Sequence, residues 1–147
     1  MTGFSTRDYS PVDYSAVQNI LTQTGMGGDE RGDNEETINR SIELGGRMIL
    51  LKDDSSQEVI GSSWMTFDGR RIHLHHFAIL PYYQGKGMSK LLLDASLSHV
   101  KTTGYQVKLE VHNTNTKAIN LYSRNGFRYL GDYDVYIIRD VDEINED

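Results

Sequence analysis

From Arg47 to Leu80 the hydrophobic pattern is strand-like three times in succession, and a stretch of that kind has few outlets other than a sheet. Met48-Ile49-Leu50-Leu51 and Val59-Ile60-Gly61-Ser62-Ser63-Trp64-Met65-Thr66-Phe67 are rich in aliphatic and aromatic residues. The polar turn Asp53-Asp54-Ser55-Ser56 separates them. The turn Asp68-Gly69 leads into Arg71-Ile72-His73-Leu74-His75-His76-Phe77-Ala78-Ile79-Leu80, closed by Pro81. Tight turns between consecutive strands predict an antiparallel meander.

Helical periods flank it. A short strand is expected around Phe4 to Tyr9. Ser10-Pro11-Val12-Asp13 then reads as a helix start, with Ser10 as N-cap, Pro11 at the first helical position and Asp13 placed to answer the cap. That helix runs to about Gln23. A glycine-rich acidic loop, Gly25 to Asp33, precedes a second helix from Asn34 to Leu44, ended by Gly45-Gly46. After the meander, Met88, Leu91, Leu92 and Ala95 fall at helical spacing and Gly104 stops the helix. A strand from Val107 to Val111, a helix from Asn115 to Asn125 capped by Gly126, and a closing strand pair, Phe127 to Leu130 and Tyr133 to Arg139, complete the chain. The order β-α-α-β-β-β-α-β-α-β-β predicts a mixed α+β fold. No linker-like stretch or repeat interrupts residues 1–147, so a single domain is expected.

Composition excludes several classes. The 147 residues contain no cysteine, hence no disulfide, thiolate metal site or cysteine nucleophile. No apolar run approaches the roughly 20 residues of a membrane span. The first residues lack a secretory signal pattern, which sets a cytoplasmic expectation. A net charge of -6 argues against nucleic acid as partner. The charge is uneven, however. Residues 47–137 hold eight acids against eleven bases, a local +3 inside an acidic chain.

Pro81-Tyr82-Tyr83-Gln84-Gly85-Lys86-Gly87-Met88-Ser89-Lys90 joins a strand to a helix. Glycines there let backbone N–H groups converge on a phosphate at the helix N-terminus, although an ordinary strand-to-helix turn has the same composition. The segment fits neither the dinucleotide fingerprint nor the P-loop. Ala78-Ile79-x-Pro81-x-Tyr83-Gln84-Gly85-Lys86-Gly87-Met88-Ser89 resembles the acyl-CoA pyrophosphate loop of the GNAT N-acetyltransferase superfamily, Gln/Arg-x-x-Gly-x-Gly/Ala. Gln84 and Gly87 match it, and Ser89 departs from the final small residue. A second stretch, Leu109 to Phe127, is similar to the family's Asn-x-x-Ala-x-x-Leu-Tyr-x-x-x-Gly-Phe unit.

The resemblance implies a GNAT-like fold: a central, mostly antiparallel twisted sheet of about seven strands, splayed in the middle and flanked by about four helices. It implies acetyl-CoA as cosubstrate. The pantetheine arm would pair with Phe77, Ala78 and Ile79, and the pyrophosphate would sit on Gln84, Gly85, Lys86, Gly87, Met88 and Ser89. It places Tyr122 as the acid toward the departing thiolate, against a plain core role for a tyrosine sharing a helical face with Ala118 and Leu121. Asn115 is either a contact to the pantetheine or a capping residue. The base that deprotonates the acceptor ammonium has two candidates, Glu110 and His73.

Strand alternation puts His73 and His75 on one face and His76 on the other. With no flanking carboxylate to complete a set, these read as strand histidines and no metal is expected. The resemblance places the loop between the first two helices beside the acceptor, so that Asp29, Glu30, Asp33, Glu35 and Glu36 are either an acidic rim suited to a cationic amine of a small molecule or peptide or a plain solvated loop. The chain thus reads as an N-acetyltransferase working by direct attack in a ternary complex, the alternative being a silent acyl-CoA-binding regulatory module. Nothing selects monomer over homodimer, although Tyr133 to Ile138 could pair between subunits as an edge strand.

Overall fold

The structure, a computed structural model, describes residues 3–28 and 31–145. The chain divides into two compact units, Met1–Glu110 and Val111–Asp147. Among the described residues no helix is long and apolar enough to cross a membrane.

The first unit is built on a five-stranded sheet in sequence order: β1 (Phe4–Asp8), β2 (Arg47–Asp53), β3 (Val59–Phe67), β4 (Arg71–Ile79) and β5 (Gln106–Leu109). β1 to β4 are antiparallel, as the tight turns predict for β2 to β4, and β4 pairs with β5 in parallel. That parallel step needs a crossover. α3 (Met88–Thr103) supplies it, and Gly104 ends the helix at φ 78°. α1 (Tyr14–Gln23) and α2 (Glu35–Glu43) fill the connection between β1 and β2. Leu50, Leu51, Ile60 and Met65 from the sheet, with Val17, Ile20, Ile38, Leu92 and Leu93 from the helices, form a fully buried core.

Two adjacent residues of β3 dock helices on opposite faces, because successive strand side chains alternate. Ser63 Oγ lies 2.7 Å from Ser96 Oγ of α3, and Ser96 donates to Leu92 O at 2.9 Å. Trp64 turns the other way and donates its indole N–H to Ser41 Oγ of α2 at 2.9 Å. Gly61 is needed where β3 and β4 approach: a Cβ there would lie 2.7 Å from Ile79 Cδ1 and 3.1 Å from Ala78 O. At the edge, Arg47 binds Asp8 at 2.7 Å and His99 Nδ1 at 3.0 Å. Since a guanidinium only donates, His99 accepts, and burial together with Arg47 holds its imidazole below the ordinary value.

The second unit carries α4 (Thr116–Arg124), with Asn115 Oδ1 accepting from Ala118 N–H at 3.2 Å as N-cap and Gly126 at φ 99° just beyond the helix. Two expectations are corrected here. Among the described residues the sheet has five strands rather than about seven, and neither Phe127 to Leu130 nor Tyr133 to Arg139 forms a strand. Apolar residues of both parities, among them Tyr133, Val135, Tyr136 and Ile137, are exposed in this segment. The pattern records a preference for sheet, and a strand also needs a ladder partner. β5 likewise stops at Leu109 rather than Val111.

The start of α1 follows the sequence closely. Pro11–Asp13 forms a 3-10 turn leading into the helix. Asp13 accepts from Ser10 N–H at 2.9 Å and from both Arg7 guanidinium nitrogens at 2.8 and 2.9 Å. These bonds, Arg7 first, hold the Asp13 carboxyl below its ordinary range despite burial. The pair therefore contributes fully above the unfolded carboxyl value of about 4, and the contribution is lost as pH falls through the lower folded value. Asp13→Asn is expected to cost about 1–2 kcal/mol at pH 7, discounted because Arg7 is partly exposed. In thermal melts the gap from the parent should narrow as pH falls from about 4 through the lower folded value.

Candidate active site

The rungs between β3 and β4 skip a residue: Ser63 pairs with Phe77, but Met65 pairs with Leu74. His75 and His76 together oppose Trp64, a β-bulge. Their rings lie 6.0 and 5.7 Å from the indole. The expected alternation is therefore corrected: His76 lies on the Trp64 side of the sheet with His75, because the bulge resets the period. His73 stacks on His75 at 5.3 Å, and His75 Nε2 is 2.5 Å from Thr66 Oγ1. Burial first, then His73 and His76, holds the His75 imidazole below its ordinary value, with Asp33 and Glu110 opposing.

The same bulge ends the parallel ladder. The last β4–β5 rung joins Leu74 to Leu109, and β4 continues through Phe77, Ala78 and Ile79, all buried. Glu110 is exposed one residue beyond β5.

Past β4 the chain makes a 3-10 turn, Pro81–Tyr83, and the side chain of Gln84 folds back to donate to Ile79 O at 2.8 Å. Tyr83 donates to Asp53 Oδ2 at 3.1 Å, tying the turn to the β2–β3 hairpin. Gly85 and Gly87 adopt φ of 75° and 85°, a region that side chains strain to enter. Gly87 is the N-cap of α3 and offers no side-chain cap, so the first-turn N–H groups of Met88, Ser89 and Lys90 face a position suited to an anion. Lys86 Nζ sits 4.1 Å from the Tyr82 ring centroid at the rim, and Lys90 pairs with Asp94.

In the second unit Tyr122 lies on α4 with its ring edge-on to Phe127 at 5.5 Å, and burial pushes its phenol up to about 12. Asn115 caps α4, one of the two roles expected for it.

Of the acidic rim, Asp29 and Glu30 lie outside the described residues. Glu35 and Glu36 line an open groove with Asn39, Arg40 and Glu43. Asp33 instead turns inward and meets His76 Nε2 at 2.8 Å, with both side chains largely buried. Sequence reasoning named both residues without pairing them, since 43 positions separate them. Only the bulge, invisible in the alternation, could have signalled the contact.

Residues 14–127 match the Acetyltransferase (GNAT) family, and the chain belongs to that family. It is similar to the spermine/spermidine N(1)-acetyltransferase of Bacillus subtilis, 39% identical over 67 residues, 44% of this chain and 43% of that protein. It is also similar to the mycothiol acetyltransferase of Propionibacterium freudenreichii, 30% identical over 84 residues, 54% of this chain and 27% of that protein. The chain thus spans less than half the length of these relatives. The fold matches that of the PaiA N-acetyltransferase of Thermoplasma acidophilum, solved in complex with coenzyme A, at a TM-score of 0.73 and 21% identity, over 89% of this chain and 92% of that one.

Gly87→Val would place a β-branched residue at φ 85°. It is expected to cost about 1–3 kcal/mol, measured as a lower thermal midpoint, with the helix signal otherwise retained in circular dichroism.

Proposed function

We propose that the chain is a single acetyl-CoA-dependent N-acetyltransferase domain acting on a cationic primary amine by direct attack in a ternary complex. The observation that carries this is the junction at β4, where the parallel ladder stops at Leu74, the strand runs on to Ile79 and the glycine turn then opens α3. A strand continuing past its last rung suits the amide-bearing pantetheine arm, which would pair with backbone at Phe77, Ala78 and Ile79. The turn from Gln84 to Ser89 suits the pyrophosphate, with Lys86 adding charge. The acidic groove of α2 and the polyamine relative support a cationic acceptor.

In this reading the amine lone pair attacks the thioester carbonyl, and the carbon–sulfur bond breaks with its electrons on sulfur. Tyr122 acts as the acid. Burial keeps its phenol protonated through the physiological range, so it can donate to the sulfur as charge develops there. Asn115, whose side chain caps α4, supports the helix that carries Tyr122. Glu110 and His73 stand as base candidates from the resemblance. Glu110 is exposed, and His73 lies within the paired rungs opposite Lys108.

A CoA-release screen with spermidine, kanamycin, tyramine and a short peptide with a free N-terminus tests the activity. Tyr122→Phe is expected to lower kcat by about 10²-fold while calorimetry shows acetyl-CoA affinity retained. Binding without turnover on all four amines would assign the chain to the silent-binder alternative.

A further inference from the structure

The pair formed by His76 and Asp33 has no part in the roles above. We propose that His76, oriented by Asp33, is the general base that deprotonates the acceptor ammonium, an inference that rests on the amine-transfer reading. A carboxylate only accepts, so the 2.8 Å contact from Asp33 Oδ2 puts the imidazole proton on Nε2 and leaves the Nδ1 lone pair for the acceptor. Asp33 is the positioning residue.

The loop is built to hold that carboxylate. Gly27 sits at φ 71°, and a Cβ there would come within 3.0 Å of Asp33 Oδ2 and 3.2 Å of Leu21 Cδ1. Asp33 N–H donates to Gly28 O at 3.1 Å, and the next residue, Asn34, caps α2 by accepting from Thr37 N–H at 2.9 Å. Asp33 is thus fixed from both sides in the chain.

The bulge puts His76 in the right place. It lies past the last β4–β5 rung, directly before Phe77, on the face of Trp64 and α2. The other imidazoles are less suited: His75 engages Thr66, and His73 lies lower on the strand at the rung with Lys108. The titratable groups around this cluster are Asp33 from the loop, His73 and His75 on β4, and Glu110 past β5.

The proton balance closes. His76 Nδ1 takes one proton from the acceptor ammonium, and the freed lone pair attacks the thioester. The second nitrogen proton ends on the departing thiol. The imidazolium, now ion-paired with Asp33, returns its proton to water. Ammonium and thioester become amide, thiol and one proton.

The test compares the fastest of the four screened amines with O-methylhydroxylamine, which is already unprotonated at neutral pH. His76→Gln is expected to lower kcat for the protonated amine by about 10²-fold. The rate with O-methylhydroxylamine should stay within about threefold of the parent, and calorimetry should show acetyl-CoA binding unchanged. Asp33→Asn keeps an acceptor oxygen without the charge and should show a smaller loss, again confined to the protonated amine. This second variant decides the matter if the first does not fold. Equal losses with both amines, or no loss with either, overturn the proposal and leave the acetyltransferase reading standing. An unsubstituted chain that binds acetyl-CoA but turns over no amine overturns both.

Discussion

The extra residue in β4 opposite Trp64 is the constraint on which the rest of the first unit turns. An antiparallel pair normally matches residue for residue, and its side-chain faces alternate without exception. Two residues against one bends the strand and resets its period. β4 consequently parts from β5 after Leu74, and both bulge imidazoles come to rest against one indole. The strand edge and the histidine cluster are therefore one event in the backbone. A straightened β4 would lose both together.

What keeps the bulge in place is packing on either side of β3. Trp64 is only 4% exposed and bonded to Ser41 of α2, while its neighbour Ser63 is fully buried against α3. Interiors packed this closely have little room to let an indole move, so the pivot of the bulge is rigid. Gly61 lets β3 and β4 close up beside it, because any side chain there would press on Ile79 and Ala78 O.

Much of the frame was legible because its signals are local. Ser10, Pro11 and Asp13 announce a helix start by stereochemistry alone, and Gly104 and Gly126 mark helix ends by tolerating positive φ. The strands of the meander follow from residue type and turn chemistry. The losses lie where partners are distant in sequence. Apolar alternation at Tyr133 to Ile138 states a preference for sheet without supplying a rung. The face of His76 was misread because a bulge depends on register between two strands. The inward turn of Asp33 was equally hidden, since composition makes it one acid of a solvated loop and only the fold brings His76 to it. The glycine turn before α3 stood between these extremes: its glycines could be read, whereas the Gln84 and Tyr83 anchors could not.

Those two anchors have a thermodynamic consequence. Gln84 ties the turn to the end of β4, and Tyr83 ties it to a hairpin some thirty residues away in sequence, as Asp53 and Tyr83 show. Loops that bind anions through backbone N–H groups commonly lose freedom when the ligand arrives. Here much of that freedom is surrendered when the domain folds. An anion placed there would meet donors already aligned, so the entropic penalty of association would fall mainly on the ligand, and weakening either anchor would surface first as a less favourable entropy of binding rather than a lost contact.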